Sequence, residues 1–171
     1  MKKLIFAIFI VFIFTSCSQD KKLHLHFDHP DTLFIEKAAL PDLAIHQDVY
    51  VPAYSNLYYE SDFRKTYFTV ILSLRNITFN DSIYFDRIEY YDSNGKLLKK
   101  FIKEVLVLRP MESIEYIIDS PDKEGGAGAN FIISYSARSN LKNPPYIEAI
   151  MLGNISNYGF SFSSPGIEIN K

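Results

Sequence analysis

The chain has 171 residues, of which 47% are hydrophobic and 22% are charged, and this composition excludes a disordered polypeptide. The formal net charge of −2 excludes the strongly basic surface of a nucleic-acid-binding domain, so no nucleic-acid partner is expected. The single cysteine excludes an intramolecular disulfide, and the length is typical of one domain.

The first 17 residues have the pattern of a bacterial lipoprotein signal. Lys2 and Lys3 precede an unbroken apolar run at 4–14, which is shorter than the roughly 20 residues of a membrane-spanning helix. Phe14-Thr15-Ser16-Cys17 resembles a lipobox, with small residues before the lipid-acceptor cysteine. The resemblance implies cleavage before Cys17 and its acylation with fatty acids such as palmitate. Ser18, in place of aspartate, implies sorting to the outer membrane.

Residues 17–45 are polar and mixed, which predicts a tether that gains some structure near residues 33–40. A flexible chain of this length has a root-mean-square reach of roughly 30 Å. His24, His26 and His29 lie in this segment, and imidazole groups bind zinc or copper. Because a tether provides no rigid scaffold, we expect a solvated linker and no metal site. Weak metal capture by these three histidines is the alternative.

Nine short segments after residue 46 have the pattern of β-strands. The alternation of apolar and polar residues is clearest at 67–75, where the even-numbered residues from 68 to 74 are apolar. A change of phase between Phe85 and Ile88 predicts a β-bulge, and Asn94-Gly95 predicts a type I′ hairpin turn. The nine segments are residues 49–52, 67–75, 83–92, 96–101, 105–108, 114–118, 131–137, 146–152 and 158–162.

Strands at this spacing, without a helical period of useful length, indicate an all-β domain. We predict a single antiparallel β-sandwich of about eight or nine short strands with an immunoglobulin-like topology. The predicted organisation is a signal peptide at 1–16, a lipidated N-terminus and tether at 17–45, and the sandwich at 46–171.

Five segments of the predicted sandwich, which together span about 48–163, carry a family resemblance: Val49–Ser55, Leu72–Asn76, Tyr90–Lys96, Gly125–Phe131 and Glu148–Gly153. The glycine segment and the Tyr-Tyr-Asp hairpin are the most specific of them. The segments resemble one family of bacterial exported proteins, domain-of-unknown-function family 3124. The resemblance implies export and a single domain, and it implies no activity, substrate or catalytic residue.

The glycine segment is the first candidate site. Backbone N–H groups of Gly125, Gly126 and Gly128, followed by Asn130, could cradle an anion. No lysine follows, and the next residues have the pattern of a strand, so the phosphate-loop pattern is not met. We therefore expect a tight turn that needs positive φ, with contact to a ligand or partner as the alternative.

The acids before the glycine segment are a second candidate. Asp119, Asp122 and Glu124 carry oxygen ligands suited to calcium, but their spacing does not match an EF-hand. A solvated turn is the expected structure.

Two adjacent tyrosines are the third candidate. Tyr58 and Tyr59 lie in a polar segment, residues 55–64, that is predicted to be a loop. Adjacent loop side chains cannot both point inward easily, and aromatic side chains are enriched at binding surfaces. Ordinary packing within the sandwich is the expected role of these side chains, and contact with a partner is the alternative.

Motifs for catalysis are missing from the sequence. Neither G-x-S-x-G nor H-E-x-x-H occurs, the one cysteine is assigned to lipid, and all four histidines lie at or before residue 46. We expect a non-enzymatic, lipid-anchored module without a cofactor, which binds an envelope protein or glycan through residues 55–64 and 119–130. Two alternatives remain. One is a periplasmic small-ligand or metal-binding lipoprotein, and the other is a hydrolase whose two carboxylates are distant in the sequence and adjacent only in the folded structure.

Overall fold

A computed structural model of the chain describes residues 33–59, 61–138, 141–155 and 157–169, without the side chains of residues 61–63. The predicted signal peptide, Cys17 and the three tether histidines lie outside these described residues. Within them, no helix is long and apolar enough to cross a membrane.

The described residues form β-strands joined by short turns. A single turn of 3-10 helix, Lys37–Ala39, is the one helical element among them. The strands are β1 Leu33–Ile35, β2 Ile45–Pro52, β3 Asn56–Tyr59, β4 Ser61–Arg75, β5 Ile83–Tyr91, β6 Leu97–Lys100, β7 Val105–Leu108, β8 Ser113–Ile118, β9 Asn130–Ala137, β10 Tyr146–Ile155, β11 Tyr158–Pro165 and β12 Ile167–Ile169.

Two antiparallel sheets contain all twelve strands. The first has the order β1-β7-β5-β9-β2-β12, and β6 pairs with the other end of β5. The second has the order β11-β10-β4-β3, and β8 pairs with β4 beyond the β3 pairing. The chain passes from the second sheet to the first at Gly166, between β11 and β12.

The hydrophobic core lies between the sheets because apolar side chains alternate along the strands. The even-numbered residues from 68 to 74 on β4 are buried, as the period-2 pattern predicts. Phe85 on β5 and Phe131 on β9 meet them from the first sheet with no exposed surface. Burial of each such side chain contributes roughly 1.5–3 kcal/mol, so this alternation is the main source of stability.

The structure confirms an all-β, antiparallel fold but corrects the strand count. The nine predicted segments are strands, and β1, β3 and β12 are additional. β1 and β12 have three residues each, too few to show a period. β3 lies in the polar segment predicted to be a loop, and it forms a hairpin with β4. β1 lies within the predicted tether segment.

The predicted hairpin after β5 forms, with a different turn. Among the described residues, Met111 is the only non-glycine with positive φ, so Asn94 does not take the conformation of a type I′ turn. The Asp92 carboxylate accepts hydrogen bonds from the N–H groups of Asn94 and Lys96, and Gly95 takes the positive φ of +80°. The predicted bulge is confirmed by a register shift between Phe85 and Arg87.

The loops gather at two ends of the sandwich. The β4–β5 end contains residues 76–82 and 109–112, joined by hydrogen bonds from Asn76 to Leu108 and Arg109. The glycine end contains residues 53–55, 92–96 and 119–129. Hydrogen bonds from Ser55 and Ser93 to the glycine segment join these loops.

Candidate functional site

The glycine segment is fixed by side chains from three other parts of the chain. The Gly126 N–H donates to Ser55 Oγ at 2.6 Å, and the Gly128 N–H donates to Ser93 Oγ at 2.8 Å. The Gly125 N–H donates to Asp122 Oδ1 at 3.3 Å. Because these donors already have acceptors within the protein, they are not available to cradle an anion.

Two different physical constraints explain the first two glycines. Gly126 has a φ of +85°, the left-handed conformation that the sequence predicted for this segment. Gly125 is restricted by space, since a Cβ there would overlap the Tyr90 hydroxyl and lie 2.6 Å from Asp122 Oδ2. The segment is therefore a tight structural turn, and Asn130 follows it as the first residue of β9.

Three of the segments that carry the family resemblance meet at this turn. Ser55 is the last residue of the first segment, and its N–H and hydroxyl both donate to the Gly126 carbonyl. Ser93 lies in the Tyr-Tyr-Asp hairpin, and its N–H and hydroxyl both donate to the Gly125 carbonyl. The motif residues at this end therefore position one another.

Tyr90 connects the turn to the core. Its ring centroid lies 4.9 Å from that of Phe131, and its hydroxyl donates to Asp122 Oδ2 at 2.7 Å. Burial, and next the hydrogen bond to the Asp122 carboxylate, raise the pKa of Tyr90. Tyr90 is thus a buried neutral donor, while Tyr91 is half-buried on the other face of the strand.

The two adjacent tyrosines differ in exposure. Tyr58 is 57% exposed on β3, with Lys65 Nζ 5.0 Å from its ring centroid, whereas Tyr59 is half-buried. They lie on a strand hairpin, and they do not line the cleft that β6 and β8 form beside the glycine turn.

A cleft of about 420 Å³ opens beside the glycine turn, between β6 of the first sheet and β8 of the second. We call it the β6–β8 cleft. Its volume lies in the range of protein ligand sites, and its lining combines apolar side chains with charges of both signs. The lining residues are Tyr90, Leu98, Lys99, Ile117, Ile118, Asp119, Pro121, Asp122, Lys123 and Glu124.

Lys99 is the half-buried cation of the cleft. Burial lowers the pKa of Lys99, and the nearby Asp119 carboxylate opposes that effect. Its Nζ lies 4.9 Å from the centroid of the Phe101 ring, a favourable cation–π position. Sequence reasoning identified Asp119, Asp122 and the glycines here but missed Lys99, because it lies on a distant strand of the other sheet.

A second polar region covers the outer face of the first sheet. Glu89 accepts hydrogen bonds from Arg87 Nε, Lys100 Nζ and the Tyr91 hydroxyl, each at 2.7 Å. Burial alone would raise the pKa of Glu89, but the bonds from Lys100, Tyr91 and Arg87 outweigh it and lower the pKa to about 2. Glu89 is therefore held ionised and is unsuited to donate a proton near neutral pH.

His46 lies on the same face without forming a catalytic triad. Its Nδ1 lies 2.8 Å from Ser136 Oγ, while Asp48 Oδ1 accepts from a different serine, Ser134, at 2.6 Å. A triad requires the acid to orient the histidine that activates the serine. Here the acid and the histidine bind separate hydroxyl groups.

Among the described residues, no group of three or more His, Cys, Asp and Glu side chains could hold a metal ion. The oxygen ligands of Asp119, Asp122 and Glu124 thus do not converge on one point. Asp122 instead accepts from Tyr90 and from the N–H groups of Glu124 and Gly125.

Comparison with known proteins places most of this chain in one family. The family model described as "Protein of unknown function (DUF3124)" matches residues 46–169. No curated protein matches the chain. Among solved structures, the crystal structure of Thermotoga maritima 1070 aligns at 12% sequence identity over 71% of this chain and 92% of that chain, with a TM-score of 0.39. The family match covers every strand from β3 to β12 and all of β2 except Ile45, and the chain belongs to DUF3124.

Proposed function

We propose that the protein is a non-enzymatic, lipid-anchored module of the bacterial envelope that binds an extended segment of another envelope protein. The β6–β8 cleft is the observation that carries this proposal. It has the size of a binding site, apolar side chains for anchoring, and a charged rim.

The strands beside the cleft favour an extended protein segment as the occupant. Within the described residues, β8 pairs only with β4 and β6 pairs only with β5, so both are edge strands. An edge strand presents unpaired backbone donors and acceptors, to which another chain can add as a strand. Leu98, Ile117 and Pro121 would then receive alternate side chains of that segment.

The anchor is proposed from the sequence pattern at Cys17, and the outer membrane from Ser18. Two or more acyl chains hold a protein stably on a bilayer, whereas a single chain gives only marginal binding. The chain between Cys17 and β1 would connect the lipid to the sandwich.

Two carboxylates outside the cleft are poorly suited to act as the acid of a hydrolase. Hydrogen bonds lower the pKa of Glu89 to about 2, and backbone N–H groups of the hairpin turn lower that of Asp92. A glycosidase acid needs a raised pKa, which is the opposite shift.

We also propose that the four central strands, β4, β5, β8 and β9, have an immunoglobulin-like arrangement. The pairs β4–β8 and β5–β9 correspond to the B–E and C–F pairs of an immunoglobulin sandwich. In this arrangement β10 lies beside β4, as strand A lies beside strand B, and β2 lies beside β9, as strand G lies beside strand F. Along this chain β2 comes before β10, which is the reverse of the order of strands G and A in an immunoglobulin domain.

Photo-crosslinking in cells tests the binding proposal. The crosslinking amino acid p-benzoylphenylalanine replaces Lys123 on the cleft rim in the full chain, and Ile167 on β12 is the matched exposed control. We expect an adduct with one envelope protein from position 123 and not from position 167. Lys99→Glu, which reverses the charge in the cleft, should reduce the adduct about tenfold at a temperature at which both proteins are folded. A reduction of about tenfold corresponds to a loss of about 1.4 kcal/mol of binding free energy.

Three outcomes contradict the proposal. The first is the same set of adducts from both positions, and the second is an adduct that Lys99→Glu leaves unchanged. The third is no protein adduct at all from position 123, which would favour a glycan or small ligand.

A further inference from the structure

Three apolar side chains project into solvent at the β4–β5 end. Phe79 is 80% exposed, Met111 is 61% exposed and Ile77, on the same loop as Phe79, is 41% exposed. Large exposed apolar side chains that cluster at one place mark a surface that meets an apolar partner. We call these three residues the apolar tip.

The two loops that carry the apolar tip are fixed by one buried asparagine. Asn76 Nδ2 donates to the carbonyl oxygens of Asp81, Leu108 and Arg109 at 2.8–3.0 Å. Its Oδ1 accepts from the N–H and the hydroxyl of Thr78, which leads directly into Phe79. The tip is therefore held in a defined arrangement.

Met111 shows that this arrangement is maintained against a local cost. Its φ of +62° is left-handed, a conformation that is unfavourable for any residue other than glycine. The Met111 N–H donates to the Thr78 carbonyl at 3.2 Å, which ties the two loops together. Strain that holds an apolar side chain in solvent points to a role for that side chain.

The chain from Cys17 reaches the sandwich at this same end. The described chain begins at Leu33, which pairs with Val107 on β7, one residue from the 109–112 loop end of that strand. The 15 residues between Cys17 and Leu33 have a root-mean-square reach of about 20 Å as a coil. The nine residues of β5 span the sandwich from this end to the hairpin at the glycine end, a length of about 30 Å, so a lipid on Cys17 would hold the β4–β5 end closer to the membrane than the glycine end.

The charges around the tip are nearly balanced. The two loops of the β4–β5 end carry Asp81, Arg109 and Glu112, and the Arg109–Glu112 pair at 2.6 Å neutralises itself. The neighbouring strand ends and loops add the basic residues Arg75, Arg138 and Lys142 and the acidic residue Asp42. The exposed apolar side chains and the path of the N-terminal chain therefore carry the docking argument, and a basic excess of one residue does not oppose anionic headgroups.

We propose that the apolar tip docks on the lipid bilayer, with Phe79, Ile77 and Met111 at the boundary between headgroups and acyl chains. This inference rests on the lipid anchor of the proposed function. It fixes an orientation, with the β4–β5 end on the membrane and the β6–β8 cleft directed away from it.

The absence of tryptophan from the sequence allows a direct test with single-tryptophan variants. Phe79→Trp reports on the tip, and Tyr158→Trp is the matched control, since both native side chains are 80% exposed. Tyr158 pairs with Ile155, at the end of β10 that lies opposite the β4–β5 end. The full-length lipidated protein is reconstituted into vesicles of phosphatidylethanolamine and phosphatidylglycerol. Tryptophan emission is then measured with aqueous iodide and with brominated lipid.

We expect the Phe79→Trp protein to emit at shorter wavelength, to lose at least about half of its iodide quenching and to be quenched by brominated lipid. The Tyr158→Trp protein should remain accessible to iodide. Equal iodide quenching of the two variants, in protein that sediments with the vesicles, would overturn the docking inference and leave the anchor intact. Protein that fails to sediment with the vesicles would overturn the anchor and the docking inference together.

Discussion

Two buried tyrosines differ in what their hydroxyl groups contact. The Tyr90 hydroxyl donates to Asp122, whereas the Tyr116 hydroxyl has no hydrogen-bond partner within the described part of the chain. Burial raises the pKa of Tyr116, so this hydroxyl stays protonated. A buried polar group without a partner costs roughly 1–3 kcal/mol, while a typical satisfied hydrogen bond contributes about 1 kcal/mol.

Removing the two hydroxyl groups should therefore change stability in opposite directions. We expect Tyr116→Phe to raise the free energy of unfolding by about 1 kcal/mol, and Tyr90→Phe to lower it by about 1–2 kcal/mol. Thermal unfolding measures both, with shifts of roughly 2–4 °C per kcal/mol for a domain of this size. If Tyr116→Phe destabilises the protein as much as Tyr90→Phe, the Tyr116 hydroxyl has a partner and this account of it is wrong.

At the residue scale, the sequence predicted burial better than it predicted partners. Alternation along β4 identified the even-numbered residues from 68 to 74 as apolar, and all four are buried. No local pattern could show that Asp122, on a loop 32 residues away, would accept a hydrogen bond from the Tyr90 hydroxyl. The sequence likewise predicted positive φ for the glycine segment, but the restriction at Gly125 is set by Tyr90, Asp122 and Ser55.

At the element scale, β5 and β6 share a charge cluster on the outer face of the first sheet. The Glu89 carboxylate lies between Arg87 and Lys100, and hydrogen bonds from them and from Tyr91 lower its pKa from 4.5 to about 2. A carboxyl with a lower pKa in the folded state stabilises the fold above its unfolded pKa. That stabilisation is lost as the pH falls through the folded value.

Glu89→Gln should therefore destabilise the protein most near neutral pH. The difference in unfolding free energy from the wild-type protein should be constant above about pH 5 and should shrink as the pH approaches 2. Urea unfolding across this range measures it, with Glu115→Gln on the exposed face of β8 as the control. A difference that is equal at pH 3 and pH 6 would show that the ion pairs of Glu89 do not stabilise the fold.

The predicted and observed strands differ where short strands depend on their neighbours. β4 and β9 show a clear period 2 and were predicted, because one face of each is buried. β1 and β12 have three residues each and exist by pairing with β7 and β2. β3 was predicted as a loop because its sequence is polar, yet it pairs with the first part of β4.

At the scale of the whole molecule, the two ends of the sandwich have different properties. The β4–β5 end carries the apolar tip and receives the chain from the N-terminal side, while the glycine end is a turn fixed by hydrogen bonds beside the cleft. The sequence predicted the all-β class and the loops at 119–130. It could not predict the cleft, since β6 and β8 belong to different sheets and meet only through the topology.

The lipid on Cys17 is the claim on which the orientation and the anchored role both depend. Mass spectrometry of the tryptic N-terminal peptide measures it directly, because trypsin cleaves after Lys21. We expect a peptide of residues 17–21 that begins at Cys17 and carries a diacylglyceryl group on the thiol and an acyl group on the amine. A peptide that continues through Ser16 into Cys17, or one that begins at Cys17 with a free thiol, would contradict the account.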